Sequence, residues 1–209
     1  LANLDSNVRP DNSSDDFRDT SSAASVLWRL EFEGIDVGDR WTELADIAEK
    51  RMDDHILGYA DCFSTLALLG GGRGKAAERM LKTMRAIKPR DEATQSVIIA
   101  TLGLPLCEAL FAYKQGDYEK VVELILPIRY NIEKLGGSHV QRDIFHQTLL
   151  YSAVRSGQYN LARALLSERV ALKPNSSVSW GLFSDALEGS GNTNAAKSAR
   201  DKARILMAA

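Results

Sequence analysis

Two cysteines, Cys62 and Cys107, are all that the 209 residues contain, and no C-x-x-C pair occurs. Neither a disulfide framework nor a structural zinc site is therefore expected. Histidine is almost as sparse, with three residues in the chain. An excess of one charge is missing too: 26 basic residues stand against 28 acidic ones, a net charge of −2. No global field then recruits nucleic acid or an anionic membrane. Apolar runs such as "SVIIATLGLPL" read as too short to span a bilayer, and no basic stretch followed by an apolar one opens the chain. Strand-like alternation of apolar and polar residues never lasts long. These absences predict a helical, cytoplasmic protein with no cofactor, no metal, no nucleic acid and no membrane partner. The chain opens on Leu1 rather than Met, which leads us to expect a processed chain or a piece of a longer one.

What is present is an ordinary globular composition, 44% hydrophobic and 26% charged, enough for one core or a row of small units sharing one. Residues 1–20 are polar and read as a linker or tail. From residue 21 to 209, apolar residues recur at i, i+3, i+4 in helical segments separated by Gly or Pro. "YKQGDYEK" (Tyr113 to Lys120) looks like the inter-helix turn of a tetratricopeptide repeat, whose period is about 34 residues. Aligning the chain on such glycines places Ala77, Ala162 and Ala196 in the small slot where paired helices touch, Pro89 and Pro174 in the terminal proline slot, and Trp180 in the tryptophan slot. Gly157 and Gly191 are 34 residues apart, the repeat period. The expectation is an all-α, right-handed superhelical stack of antiparallel helical hairpins, near 58–91, 102–135, 143–175 and 177–209, with a degenerate pair at 21–50. Between Gly116 and Gly157 seven residues exceed the period, "GGSHVQR" (136–142). Gly136 and Gly137 are expected to end one helix, and Ser138 with Gln141 to cap the next.

Several segments together resemble the tetratricopeptide repeat protein 38 family: "LWRLEFEG", "VGDRW", "DDHIL", "GLPLCEAL", "LPIRYNIEKLGGSHVQRDIF" and "ERVALKPNS". They run in the family's order over residues 21 to about 176. The resemblance implies a helical-repeat fold and the C-terminal half of a longer protein. That family has no established enzymatic activity or ligand, so the resemblance implies little about function.

Three stretches invite a chemical reading. His139, Asp143 and His146 fall within roughly 60° of one helical face, as metal ligands would, but as a helix start they need no ligand. "GGGRGK" (Gly70 to Lys75) resembles a phosphate loop, yet Leu69 and Ala76 occupy the first-glycine and hydroxyl positions, so an inter-helix turn is expected. "DDHILGYAD" puts Asp54 and Asp61 on one face with His55 beside them. Cys62 and Cys107 lie in apolar runs and read as small buried residues. No catalytic residue is assigned.

Two functional classes remain. The first is a scaffold that binds a protein or peptide, including the chain's own N-terminal half, in a concave groove lined by Leu66, Leu110, Tyr113, Lys114, Gln147, Tyr151 and Arg155. The alternative is a small-molecule-binding or hydrolytic protein. Its polar pocket would be formed by Trp28, Arg40, Trp41, Asp54, His55, Arg142 and Asp143.

Overall fold

The computed structural model describes residues 5–6, 16–90 and 95–208. Among these residues there is no strand, and ten helices carry the fold: α1 (Phe17–Phe32), α2 (Trp41–Arg51), α3 (Gly58–Gly70), α4 (Gly74–Arg85), α5 (Gln95–Gln115), α6 (Tyr118–Ile125), α7 (His139–Arg155), α8 (Tyr159–Leu172), α9 (Ser177–Gly189) and α10 (Thr193–Ala208). The all-helical expectation holds. A short 3-10 turn, Gly38–Arg40, leads into α2, and a 3-10 stretch, Leu126–Leu135, extends α6. The chain divides into two compact units, Leu1–His146 and Gln147–Ala209.

Most of the expected polar tail, residues 1–4 and 7–15, lies outside the described residues. Its end does not stay a linker. Asp16 accepts a hydrogen bond from the Arg18 amide at 2.8 Å and caps α1, which begins at Phe17 instead of near residue 21.

The helix ends repeat one device. Gly34, Gly72, Gly116, Gly157 and Gly191 all take left-handed φ values, between 72° and 81°. After each, the next amide donates to the carbonyl five residues back: Ile35 to Leu30, Arg73 to Leu68, Asp117 to Ala112, Gln158 to Ala153 and Asn192 to Leu187, at 2.7 to 3.0 Å. This closure satisfies orphaned helix carbonyls, and only glycine adopts it without a Cβ penalty. Four of these five are the glycines that set the repeat register. Ala77, Ala162 and Ala196, five residues after three of them, are buried at 0%, 0% and 2% exposure.

In the first unit α3 is the central element and packs against α1, α2, α4 and α5. Its sequence, GYADCFSTLALLG, is apolar nearly all round, as a helix buried on all sides must be. Gly70 and Gly71 let α2 approach: a Cβ would come within 2.2 Å of the Trp41 ring at one and 2.5 Å of the Ala45 Cβ at the other. The "GGGRGK" stretch is thus a turn and a close contact, with Arg73 held at 2.6 Å by Asp46 and 3.0 Å by Glu49.

Helix α5 contains a wider π turn at Ile99–Gly103, where the Leu104 amide bonds the Ile99 carbonyl. Pro105 has no N–H to continue the α ladder, which accounts for the slip. Gly103 meets Gly58 of α3 backbone to backbone, a Cβ there lying 3.4 Å from the Gly58 Cα. By length and composition α5 could cross a membrane, because the helix continues past the apolar run read as too short. Ile99, Leu102, Leu106, Cys107 and Leu110 spend that apolarity in the core of the unit.

The second unit pairs α9 with both α8 and α10. Leu187, Ala196 and Ala199 form its core with half-buried Trp180 and Phe183. The Trp180 Nε1–H donates to the Pro174 carbonyl at 2.8 Å, so the residues expected in the tryptophan and terminal proline slots are joined.

Two predictions follow the helix ends and caps. Gly191→Ala should destabilise the protein by about 1 kcal/mol, whereas Gly181→Ala, inside α9 with open space around it, should stabilise it by about 0.5–1 kcal/mol in denaturant unfolding. The Arg18 guanidinium and amide lower the Asp16 carboxyl from its usual 3.8 to about 2. A depressed folded value means the cap's contribution is complete above pH 3.8 and lost as pH falls through 2. Asp16→Ala should therefore lower the melting temperature at pH 7 and leave it unchanged below pH 2.

Candidate functional site

The strongest polar constellation is built around the turn between α2 and α3. Its residue His55 has φ 44°, the sole non-glycine in the left-handed region among the described residues. Such a conformation costs a β-carbon-bearing residue about 1 kcal/mol or more and persists where surrounding contacts fix it. Here those contacts are clear. His55 Nδ1 lies 3.2 Å from Asp61 Oδ1 on α3, and Nε2 lies 2.8 Å from Thr83 Oγ1 on α4. The His55 and Asp61 side chains are 10% and 5% exposed. An ion pair between Arg79 and Asp53 ties α4 to the same turn.

The array satisfies either protonation state of the imidazole. With Nδ1–H donated to the Asp61 carboxylate, a neutral ring accepts the Thr83 hydroxyl proton at Nε2. A charged ring donates there, and the hydroxyl turns its proton to the Met80 carbonyl 2.9 Å away. Carboxylate, imidazole and hydroxyl stand in the order of a nucleophile relay. Thr83, however, does not line the adjacent cavity, while Asp61 and His55 do.

That cavity has a volume of about 160 Å³ and is walled by α1, α2, the turn and α3. Phe17, Leu44, Ile47, Phe63 and Ala67 make it mainly apolar; Thr20, Arg51, Asp54 and Ser64 add polar edges. Asp61 Oδ2 is buried and accepts no hydrogen bond from any described residue.

The remaining residues of the expected polar pocket lie elsewhere. Asp54 and His55 line the cavity; Trp28, Arg40, Trp41, Arg142 and Asp143 do not. Arg40 is held by the Asp5 carboxylate at 2.7 Å and by the Val37 carbonyl at 3.0 Å. Arg142 reaches back to the Gly136 and Gly137 carbonyls and to His139 Nδ1 at 3.2 Å. Asp143 is half-buried. Among the described residues no group of three His, Cys, Asp or Glu side chains is placed to hold a metal. The seven-residue insertion is a helix start. Ser138 and Gln141 exchange reciprocal capping bonds at 2.9 and 3.2 Å, as expected.

Of the four groove residues of the first unit, Lys114 alone is exposed. Leu66 and Leu110 have no exposed area and belong to the core, which corrects their assignment as partner-binding residues. Tyr113 packs against Trp28 and Phe32 of α1 with ring centroids 5.5 Å apart. The Lys114 ammonium lies 4.8 Å over the Trp28 ring and 2.6 Å from Glu31, whose other oxygen accepts from the Trp41 indole at 2.7 Å. The segment expected to shape a pocket thus packs on Tyr113 and engages Lys114, two residues expected to shape a groove. In the second unit, Gln147 and Tyr151 are half-buried and the exposed Arg155 guanidinium lies 5.6 Å from the centre of the Tyr151 ring. Cys62 and Cys107 are fully buried with their sulfurs 3.8 Å apart, and burial pushes the Cys62 thiol well up.

Thr83 is the site residue that sequence reasoning missed. It stands 28 residues from His55, and nothing in its own helix marks it. Compared with known proteins, the chain matches no family model and no solved structure.

Removing the imidazole strands a buried carboxylate, so His55→Ala should destabilise the protein by about 1–3 kcal/mol. Thr83→Val, which keeps shape and removes one partner, should cost about 1 kcal/mol. Urea denaturation checks both; equal, negligible effects would show that the array contributes nothing to the fold.

Proposed function

We propose that the chain is a tetratricopeptide-type scaffold of about five helical hairpins, related to the tetratricopeptide repeat protein 38 family that its segments resemble, and that it binds a protein or peptide partner in the cytoplasm. The observation that supports this reading is the recurrence of one left-handed glycine closure at five helix ends, with small buried residues at a fixed offset after three of them. On this reading the hairpins stack as a right-handed superhelix. Partner contact then falls to Gln147, Tyr151 and Arg155, because α1 already occupies Tyr113 and Lys114 and the core holds Leu66 and Leu110. An aromatic side chain beside a guanidinium is the composition that dominates binding surfaces.

A second reading, small-molecule binding, is favoured by one specific observation: a carboxylate with an unengaged oxygen beside a mainly apolar cavity of about 160 Å³. Its hydrolytic form has less support, since the only hydroxyl in the relay lies outside the cavity lining.

The scaffold reading predicts that Tyr151→Ala combined with Arg155→Ala lowers capture of a partner identified by cross-linking at least about tenfold, with helix content and melting temperature unchanged. Unchanged capture removes this surface from the function. Leu110→Glu is expected to unfold the first unit instead, by placing a charge in its core.

A further inference from the structure

We propose that the cavity between α1, α2 and α3 is a binding site for a small organic ammonium ion, its N–H donated to Asp61 Oδ2 and its apolar body lying among Leu44, Ile47 and Phe63. The inference rests on the small-molecule reading above and names the ligand class.

Size sets the first limit. A cavity of about 160 Å³ is comparable with the roughly 150 Å³ apolar cavity that accepts benzene, so it has room for one ring or a short branched chain. The walls set the second. Nine of the fifteen lining residues are apolar, so a few waters would meet too few polar partners to match what a hydrocarbon body gains there.

Charge sets the third. The Asp61 side chain is 5% exposed and gives Oδ1 to His55, while Oδ2 has no donor among the described residues. A buried carboxylate oxygen without a partner is costly, and its best partner is a charged N–H. Asp54 adds a second acidic group to the lining; Arg51 is the one residue there with a permanent positive charge, and it is exposed at the edge. A carboxylate or phosphate ligand would meet Asp61 repulsively. A neutral apolar ligand would leave Oδ2 unmet. An ammonium satisfies both the oxygen and the charge.

The mouth of the site fits a ligand that enters from water. Ile56, on the turn beside His55, lines the cavity and is 72% exposed, which places an apolar side chain at the rim where a hydrocarbon body would first be met. His55, locked at its left-handed φ by Asp61 and Thr83, holds the carboxylate in one orientation at the cavity wall.

Three probes of one shape test this: benzylammonium, benzyl alcohol and toluene, each titrated into the 209-residue protein and followed by calorimetry and amide chemical shifts. Benzylammonium should bind saturably and at least about tenfold more tightly than benzyl alcohol, with shifts centred on Ala48, Ala60 and Ser64. Asp61→Asn should abolish that preference, and Ala67→Met, which fills the cavity, should abolish binding of all three. Should Asp61→Asn fail to fold, the probe series and Ala67→Met still decide. Equal affinity for the three probes overturns the ammonium inference while leaving a small-molecule pocket standing. No binding by any of them overturns both. Benzylammonium binding that survives Ala67→Met places the ion elsewhere and also overturns the proposal.

Discussion

The first unit depends on the burial of α3 on every side. A helix without a solvent face must be clad by neighbours, and α1, α2, α4 and α5 supply the cladding. Two of these neighbours, α2 and α5, approach at a point where a side chain has been given up: Gly70 and Gly71 under Trp41 and Ala45, and Gly58 against Gly103. Close backbone approach maximises dispersion contacts but leaves no tolerance for a Cβ. The same burial explains why Asp61 stands out. It is the one acidic side chain of α3, and the fold accommodates it by bringing His55, itself held by Thr83, to one of its oxygens.

Local chemistry was legible in the sequence because local chemistry decides it. The left-handed closures at Gly72, Gly116, Gly157 and Gly191 depend on a glycine at a helix end and need no distant partner. The Ser138–Gln141 cap is a four-residue pattern, and the structure forms it as read. Burial of Cys62 and Cys107 was likewise implied by the apolar runs that hold them.

What the sequence hid is what depends on residues far apart. Asp54, His55 and Asp61 could be grouped from spacing alone, but Thr83 enters only through the way α4 lies against the turn. Repeat positions suggested that Leu66, Leu110, Tyr113 and Lys114 face a groove. The presence of α1 over Tyr113 and Lys114 depends on Trp28, Glu31 and Phe32, whose spacing marks an amphipathic helix but says nothing of which neighbour receives it. The π turn in α5 sits between: Pro105 signals a disturbed ladder, and the structure shows that the slip occurs upstream, at Ile99–Gly103.

The capped start of α7 has a consequence for how the first unit assembles. The Gln141 side-chain amide donates to Ser21 and Ser22 at 3.3 Å, Arg29 donates to the Val140 carbonyl, and Ser21 bonds the Tyr59 hydroxyl at 2.8 Å. These links join positions up to 120 residues apart, whereas the hairpin turns close over a handful. Loop-closure entropy rises with separation, so this fastening costs more chain entropy to close than the local turns do and needs both ends of the unit in place. A linear array can fray from its end one hairpin at a time. Tying α1 to the start of α7 closes the first unit on itself, so that loosening its first helix also removes hydrogen bonds from the start of α7.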